Sequence, residues 1–281
     1  MRTKLSPITQ RAVIVAGRFG FISRDIFWKH ISRRQKSENY ANWKRLTDLG
    51  IFKVNRLSTR YLQLSRTGIQ ILQQMDGEYV GPAHPLYFDH DELVMGLALA
   101  CENAGLIKAN WQGDAVIRGQ TNEERVQLLG SNSDKIPDLV FDLNVQGAKI
   151  RVALEVERAR KSLHRIDSLV LSYMEMRAVD LVLIACSDRY IEQRIRDSIK
   201  KLGYPQTSRP MAFCKLGGLA ERPDSFPIQL SGNVICFDKF VTNLRKLEGG
   251  GDSTSIKKLP EASADVVPEI SPGNIPVEKS A

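Results

Sequence analysis

The chain has 281 residues and a mass of 31.6 kDa, enough for two small domains with buried cores. Hydrophobic residues make up 42% of it and charged residues 26%, and no apolar run approaches the roughly 20 residues that a membrane helix needs, which excludes membrane insertion. The net charge of +8 is uneven: residues 1–80 hold 15 Lys+Arg against 5 Asp+Glu, so of the 40 and 32 in the whole chain, 25 and 27 remain for the rest. A compact positive excess points to a polyanion, double-stranded DNA first, because neutralised phosphates release their counterions.

In chain order, the opening apolar stretch is broken by Arg11, Gly17 and Arg18, and no small-residue cleavage site follows it. It predicts mature, cytoplasmic protein. Residues 1–78 then read as a first domain. A helix over 7–16 and a second from Ser23 through Ile26, Phe27 and Ile31 precede a third that starts after Ser37 and ends at Gly50, with Trp43, Leu46 and Leu49 inward. Short strands over 52–57 and 61–64 and a helix over 67–75 complete it. Three helices and a hairpin are the winged-helix plan, in which the third helix enters the major groove and the hairpin lies along the backbone or minor groove. The candidate DNA contacts are Arg33, Arg34 and Lys36 before the third helix, Asn39, Asn42, Lys44 and Arg45 on its outward face, and Arg56 and Arg60 on the wing. The same charges also suit a protein-binding module.

Gly and Pro cluster over 76–85, and residues 86–247 read as a second domain. A helix over 86–104 and a strand over 109–117 come first. Pro137 to Arg158 then holds two β-branched runs about Gln146-Gly147, a two-residue turn. That turn puts Val145 opposite Ala148 and, along the ladder, Asp138 opposite Glu155. Strand alternation sends Ile150, Val152, Leu154 and Val156 to one face and Ala153, Glu155 and Glu157 to the other. Three carboxylates therefore gather at one end of the hairpin, where like charges facing each other are destabilising unless neutralised. Hard oxygen ligands without His or Cys favour Mg²⁺ or Mn²⁺. Pairing of an acid with Arg151 or Arg158 is the alternative.

A basic helix from about Arg158 is expected to bring Lys161 toward Glu157. A strand over 180–186, a helix over 188–202 capped by Ser187 and a strand over 210–216 follow, giving a mixed sheet with helices on both faces. Residues 248–281, rich in Gly, Ser and Pro and without aromatics, read as a disordered tail. The four cysteines, far apart in apolar settings, read as reduced thiols, and Trp28, Trp43 and Trp111 as core. His90 reads as a structural or capping side chain, Tyr173 as packing on its helix, and Asp91 and Glu92 as exposed helix acids, with one of them as a ligand for a second metal the alternative.

Pro137-Asp138 followed by Glu155-Val156-Glu157 resembles the PD-(D/E)xK nuclease motif, with Glu157 at the position usually held by Lys, a variant that some restriction endonucleases of that superfamily share. With the winged-helix plan and the run ALEVERARKS, the chain is similar to the replication-relaxation proteins and MobC-type mobilisation relaxases of plasmids and other mobile elements. The fold class expected is thus α/β, a winged helix followed by a nuclease-like mixed sheet. The resemblance implies a metal-dependent endonuclease that nicks DNA at an origin of transfer or replication. Asp138, Glu155 and Glu157 would hold Mg²⁺ or Mn²⁺, and Lys161 would supply the motif's positive charge. Accessory mobilisation or coupling proteins and a homodimer are the expected partners. Only His30, His84, His90 and His164 occur, with no His-x-His pair, so the tyrosine and histidine-cluster relaxase chemistry is not expected. A regulator or replication factor with an inactive nuclease-like domain is the competing reading, and an endonuclease cutting both strands the third.

Overall fold

Ser6 and Pro7 start the first helix, α1 (Pro7–Phe19): the serine hydroxyl accepts from the Thr9 N–H and the proline occupies a position that needs no donor. Gly20, at φ +75°, ends it. The computed structural model is mixed α/β and describes residues 5–239, apart from 57, 106, 109, 146–147, 206–209, 222–226, 231–232 and 238. After α1 come β1 (Ile22–Ser23), a single turn α2 (Arg24–Ile26) and a π-helical turn over Phe27–Ser32. Helix α3 (Lys36–Asp48), the hairpin β2 (Phe52–Asn55) and β3 (Ser58–Leu64), and α4 (Arg66–Gln73) follow. The three strands form an antiparallel sheet in the order β1-β3-β2. Ser23 caps α2 as expected, but Gln35, not Ser37, precedes α3.

A 3₁₀ turn over Pro85–Tyr87 leads into α5 (Phe88–Asn103). The strand expected over 109–117 is reduced to β4 (Gln112–Gly113), and Asp114–Arg118 is the helix α6. A short β-branched run does not distinguish the two, and α6 buries Val116 and Ile117 as a strand would have done. Helix α7 (Asn122–Leu129), absent from the expected elements, is closed by a capping box between Thr121 and Glu124. The chain continues through β5 (Leu139–Val145), β6 (Ala148–Glu157), α8 (Leu163–Glu175), β7 (Leu181–Cys186), α9 (Arg189–Leu202), β8 (Met211–Lys215), α10 (Leu216–Glu221), β9 (Pro227–Leu230) and β10 (Asn233–Cys236). The helix expected from Arg158 starts at Leu163, because the Ser162 hydroxyl accepts from the Arg165 N–H, and α9 is capped by Asp188 rather than Ser187.

The seven strands after α5 form one sheet in the order β10-β9-β8-β7-β6-β5-β4, parallel only across β6-β7-β8. The β5–β6 ladder runs from Val145↔Ala148 to Leu139↔Leu154, the register expected from a two-residue turn. The turn at 146–147 itself, and the tail over 248–281, lie outside the described residues.

Two cores clothe the sheet. On one face, Ile150, Val152, Leu154 and Val156 join α5 and the buried side chains of α1, β1 and β3 in a single cluster. Phe88 of α5 stands 4.6 Å from the Phe21 ring and 4.5 Å from that of Tyr61. The first 80 residues therefore share a core with the sheet. Within those residues Gly17 lets the segment after α4 pack closely on α1: its carbonyl accepts from the Val80 N–H, and a Cβ there would meet the Glu78 carbonyl at 2.6 Å. On the other face, Val140, Ala153, Val182, Ile184 and Phe213 pack under α8 and α9. Glu155 and Glu157 belong to this second face. Trp43 and Trp111 are buried, Trp28 packs at the edge of the first core, and Cys101, Cys186, Cys214 and Cys236 are free thiols. Among the described residues, no helix is long and apolar enough to cross a membrane.

Candidate functional site

The β5–β6 ladder, continued one step beyond Leu139↔Leu154, sets Asp138 opposite Glu155. Asp138 Oδ2 accepts the Val156 N–H at 2.7 Å, a bond that ties the carboxylate to the neighbouring strand. Glu155 and Glu157, one pleat repeat apart on β6, face α8 and are each 2% exposed. Glu155 and Glu157 thus share one face, as the alternation requires, and Asp138 stands at the same end of the hairpin, where its charge acts on Glu155.

Cations and donors surround them. Lys135 Nζ lies 2.6 Å from Glu155 Oε1, and the Tyr173 hydroxyl donates to Glu155 Oε2 at 2.7 Å. Lys161 Nζ lies 2.5 Å from Glu157 Oε1 and 4.0 Å from Glu155 Oε1, although it stands in the loop before α8 and not on a helix. His90 Nε2 lies 3.4 Å from Asp138 Oδ2, and its Nδ1 is 3.1 Å from Asp91. Asp114, at the start of α6, gives its N–H to the Asp138 carbonyl and pairs with Arg118 at 2.6 Å.

The charges are not balanced. Burial, then the charges of Asp138 and Glu157, push Glu155 up to about 8 against the pull of Lys135. Hydrogen bonds to Asp138 and Asp91 outweigh burial at His90 and raise it to about 10, so the imidazolium is charged at neutral pH. Burial would raise Asp138, but His90, Lys135 and the Val156 N–H hold it below the ordinary carboxylate range. Burial, followed by the nearby carboxylates, keeps the Tyr173 hydroxyl protonated and a donor.

Whether a divalent metal fits turns on these facts. Asp138, Glu155 and Glu157 offer hard oxygens at one end of the hairpin, and the crowding that keeps a proton on Glu155 is relieved by a second positive charge, with release of that proton. The donor chemistry fits Mg²⁺ or Mn²⁺. The spacing is set by lysines: among the described residues, no three His, Cys, Asp or Glu side chains stand at ligand distances, so a metal would take the place of the amines of Lys135 and Lys161.

Four other site expectations are corrected. Glu92 is no second-metal ligand, since it accepts from both Arg60 and Ser23, at 2.9 Å and 2.6 Å. Arg60 accordingly turns back from the wing onto Glu92 and Asp25. Asn39 is 6% exposed instead of outward, its side chain clamping both the N–H and the carbonyl of Arg34. Asn42 is half-buried and donates to Ser32. The remaining candidates, Arg33, Arg34, Lys36, Lys44, Arg45 and Arg56, are exposed. Arg33 ends the π-helical turn at φ +51°, a left-handed conformation that swings the chain outward before α3. Tyr40, 60% exposed, lies between Lys36 and Lys44 on one stripe of α3 and was not among the expected contacts.

Lys135 and Asp114 were also missed. The only sequence signal for Lys135 is its place two residues before Pro137-Asp138. Comparison of the chain with protein-family models, with curated proteins and with solved structures returns no match.

Proposed function

We propose that the chain binds double-stranded DNA through its N-terminal helices and hydrolyses a phosphodiester bond at the acidic end of the β5–β6 hairpin. The observation that carries this reading is the meeting of Asp138, Glu155 and Glu157 at one end of the hairpin with two lysines against them. Asp138, Glu155 and Glu157 would hold Mg²⁺ or Mn²⁺, which when bound polarises the scissile phosphate and lowers the pKa of water. Lys161 and Lys135, released from the carboxylates by the metal, would offer their ammonium groups to the non-bridging oxygens as these gain charge, standing in for the lysine that Glu157 replaces. The Tyr173 hydroxyl and the Val156 N–H orient Glu155 and Asp138.

The exposed Arg33, Arg34, Lys36, Lys44, Arg45 and Arg56 support DNA as the polymer bound, on a domain of winged-helix plan. Nicking at the origin of a mobile element, in the cytoplasm and with accessory mobilisation or coupling proteins or as a homodimer, is the form of this activity that the resemblance to MobC-type relaxases favours. A second reading, a DNA-binding regulator with an inactive nuclease-like domain, is favoured by the cationic partner that each of the three carboxylates already has.

The test is supercoiled plasmid carrying the element's own origin, incubated with Mg²⁺ or Mn²⁺. Open circles that disappear with Asp138→Ala are the expected result. Linear product would instead support cutting of both strands. Sequence-specific binding without cleavage in either metal overturns the nuclease reading and leaves the regulator.

A further inference from the structure

Glu157 and Lys161 also line a shallow cleft, with an enclosed volume of about 10 Å³, whose other walls include Arg160, Tyr190 and Arg194. Tyr190, in the first turn of α9, remains 47% exposed although the rest of that helix buries Ile191, Ile195 and Ile199. Its ring is flanked by cations: the Arg160 guanidinium carbon lies 4.5 Å from the centroid and that of Arg194 5.4 Å. Arg194 also donates to the Tyr190 hydroxyl at 2.7 Å. Among the described residues, neither guanidinium has a carboxylate partner within ion-pair distance, and the two acids of α9, Glu192 and Asp197, are held by Arg196 at 2.7 Å and by Gln193 at 2.9 Å.

A half-exposed aromatic ring with two unneutralised guanidiniums over it, one of them hydrogen-bonded to its hydroxyl, is a preorganised platform for a planar, anionic ligand. The geometry points to this cleft as a subsite for a single DNA strand, one base stacking on Tyr190 and its flanking phosphates meeting Arg160 and Arg194. Paired bases within a duplex offer no free face to such a ring, whereas an unpaired strand does. Stacking of this kind tolerates any base, so the subsite grips the strand without reading its sequence. The cleft shares Glu157 and Lys161 with the acidic site, so a strand seated here passes its next phosphodiester to those residues. That last step rests on the DNA-cleaving reading; binding of the strand does not.

The experiment measures binding by the full chain, in EDTA, of a labelled oligothymidylate and of a duplex of equal length. Tyr190→Ala is expected to weaken the single strand by about tenfold while Tyr190→Phe retains it, because the ring supplies the stacking. Duplex affinity, led by the N-terminal cations, is expected to stay within about twofold. Arg160→Gln with Arg194→Gln should lower the slope of log affinity against log salt by about 1.4, at roughly 0.7 per phosphate contact on a single strand. Unchanged single-strand affinity in Tyr190→Ala, or an equal loss on duplex, overturns the subsite. Since no cleavage occurs in EDTA, the two ideas separate: nicking with Tyr190-independent binding sinks only the subsite, and Tyr190-dependent binding without nicking in Mg²⁺ or Mn²⁺ sinks only the nuclease.

Discussion

The two ends of the β5–β6 hairpin carry buried acids on the same sheet face, yet they are built differently. At the end nearer the turn, Asp142 stands directly opposite Arg151 and is 8% exposed. Arg151 Nε lies 3.0 Å from one of its oxygens and Lys149 Nζ 2.8 Å from the other. One carboxylate meets two cations, and Arg151 goes on to donate to the carbonyls of Gln127 and Leu128 at the end of α7. About 13 Å along the same strand, four residues away, Asp138 opens the other end. There three carboxylates share Lys135, Lys161 and His90, and Glu155 is pushed up to about 8. An acid matched by cations fastens one element to another. Where three buried acids share only three cations, burial and mutual repulsion leave a proton on Glu155 at neutral pH, and a carboxyl perturbed in that way marks a place for a ligand.

The sharpest way to break this comparison is to remove one acid from each end. Asp142→Ala is expected to cost about 2–3 kcal/mol in denaturant unfolding, because it leaves the largely buried Arg151 guanidinium without its carboxylate while the two α7 carbonyls still hold it. DNA cleavage by the folded variant should persist. The Asp138→Ala variant used in the plasmid test should behave in the reverse sense, losing cleavage first. If Asp142→Ala abolishes nicking at conditions where it remains folded, the division into a structural and a chemical end is wrong.

Glu155 offers a smaller effect with a defined sign. Its folded pKa of about 8 lies above the ordinary 4.5, so the folded state binds the proton more tightly than the unfolded chain. The stability this proton confers is present below about 4.5 and is lost as pH rises through about 8. Glu155→Gln copies the protonated acid, accepting at one end and donating at the other. In EDTA, its stability should therefore match the parent near pH 4.5 and exceed it increasingly toward pH 8, then level off. A constant difference across that window would show that Glu155 is ionised throughout and that Lys135 alone suffices to neutralise it.

How much of this the sequence made legible depended on range. The register from Val145↔Ala148 to Leu139↔Leu154 follows from a two-residue turn and a period of two, both local rules, and with it comes the meeting of Asp138, Glu155 and Glu157. The partners of those acids obey no such rule. Lys135 and Tyr173 reach Glu155 from 20 and 18 residues away, and His90 comes to Asp138 on α5, where the sequence marked it only as a structural or capping side chain. The same limit hid Arg60–Glu92, a bond across the boundary expected at 76–85, and with it the core that joins the first 80 residues to the sheet. Over residues 115–117, an Ala-Val-Ile run satisfies a strand and a single helical turn equally, and the helical turn that forms starts where the Asp114 N–H binds the Asp138 carbonyl, a partner distant in sequence.

The smallest effect separates the two cations on Asp142. Lys149 is 54% exposed on its side chain, and its flexible stem loses rotamer freedom to hold the pair, whereas Arg151 is 17% exposed and anchored by two carbonyls as well. Lys149→Ala should therefore cost less than about 1 kcal/mol, with the loss shrinking further at high salt as screening removes the surface term. A salt-independent cost as large as that of Asp142→Ala would mean that both cations, and not the arginine alone, fasten the hairpin to α7, and the far end would then resemble the acidic one in needing every charge it has.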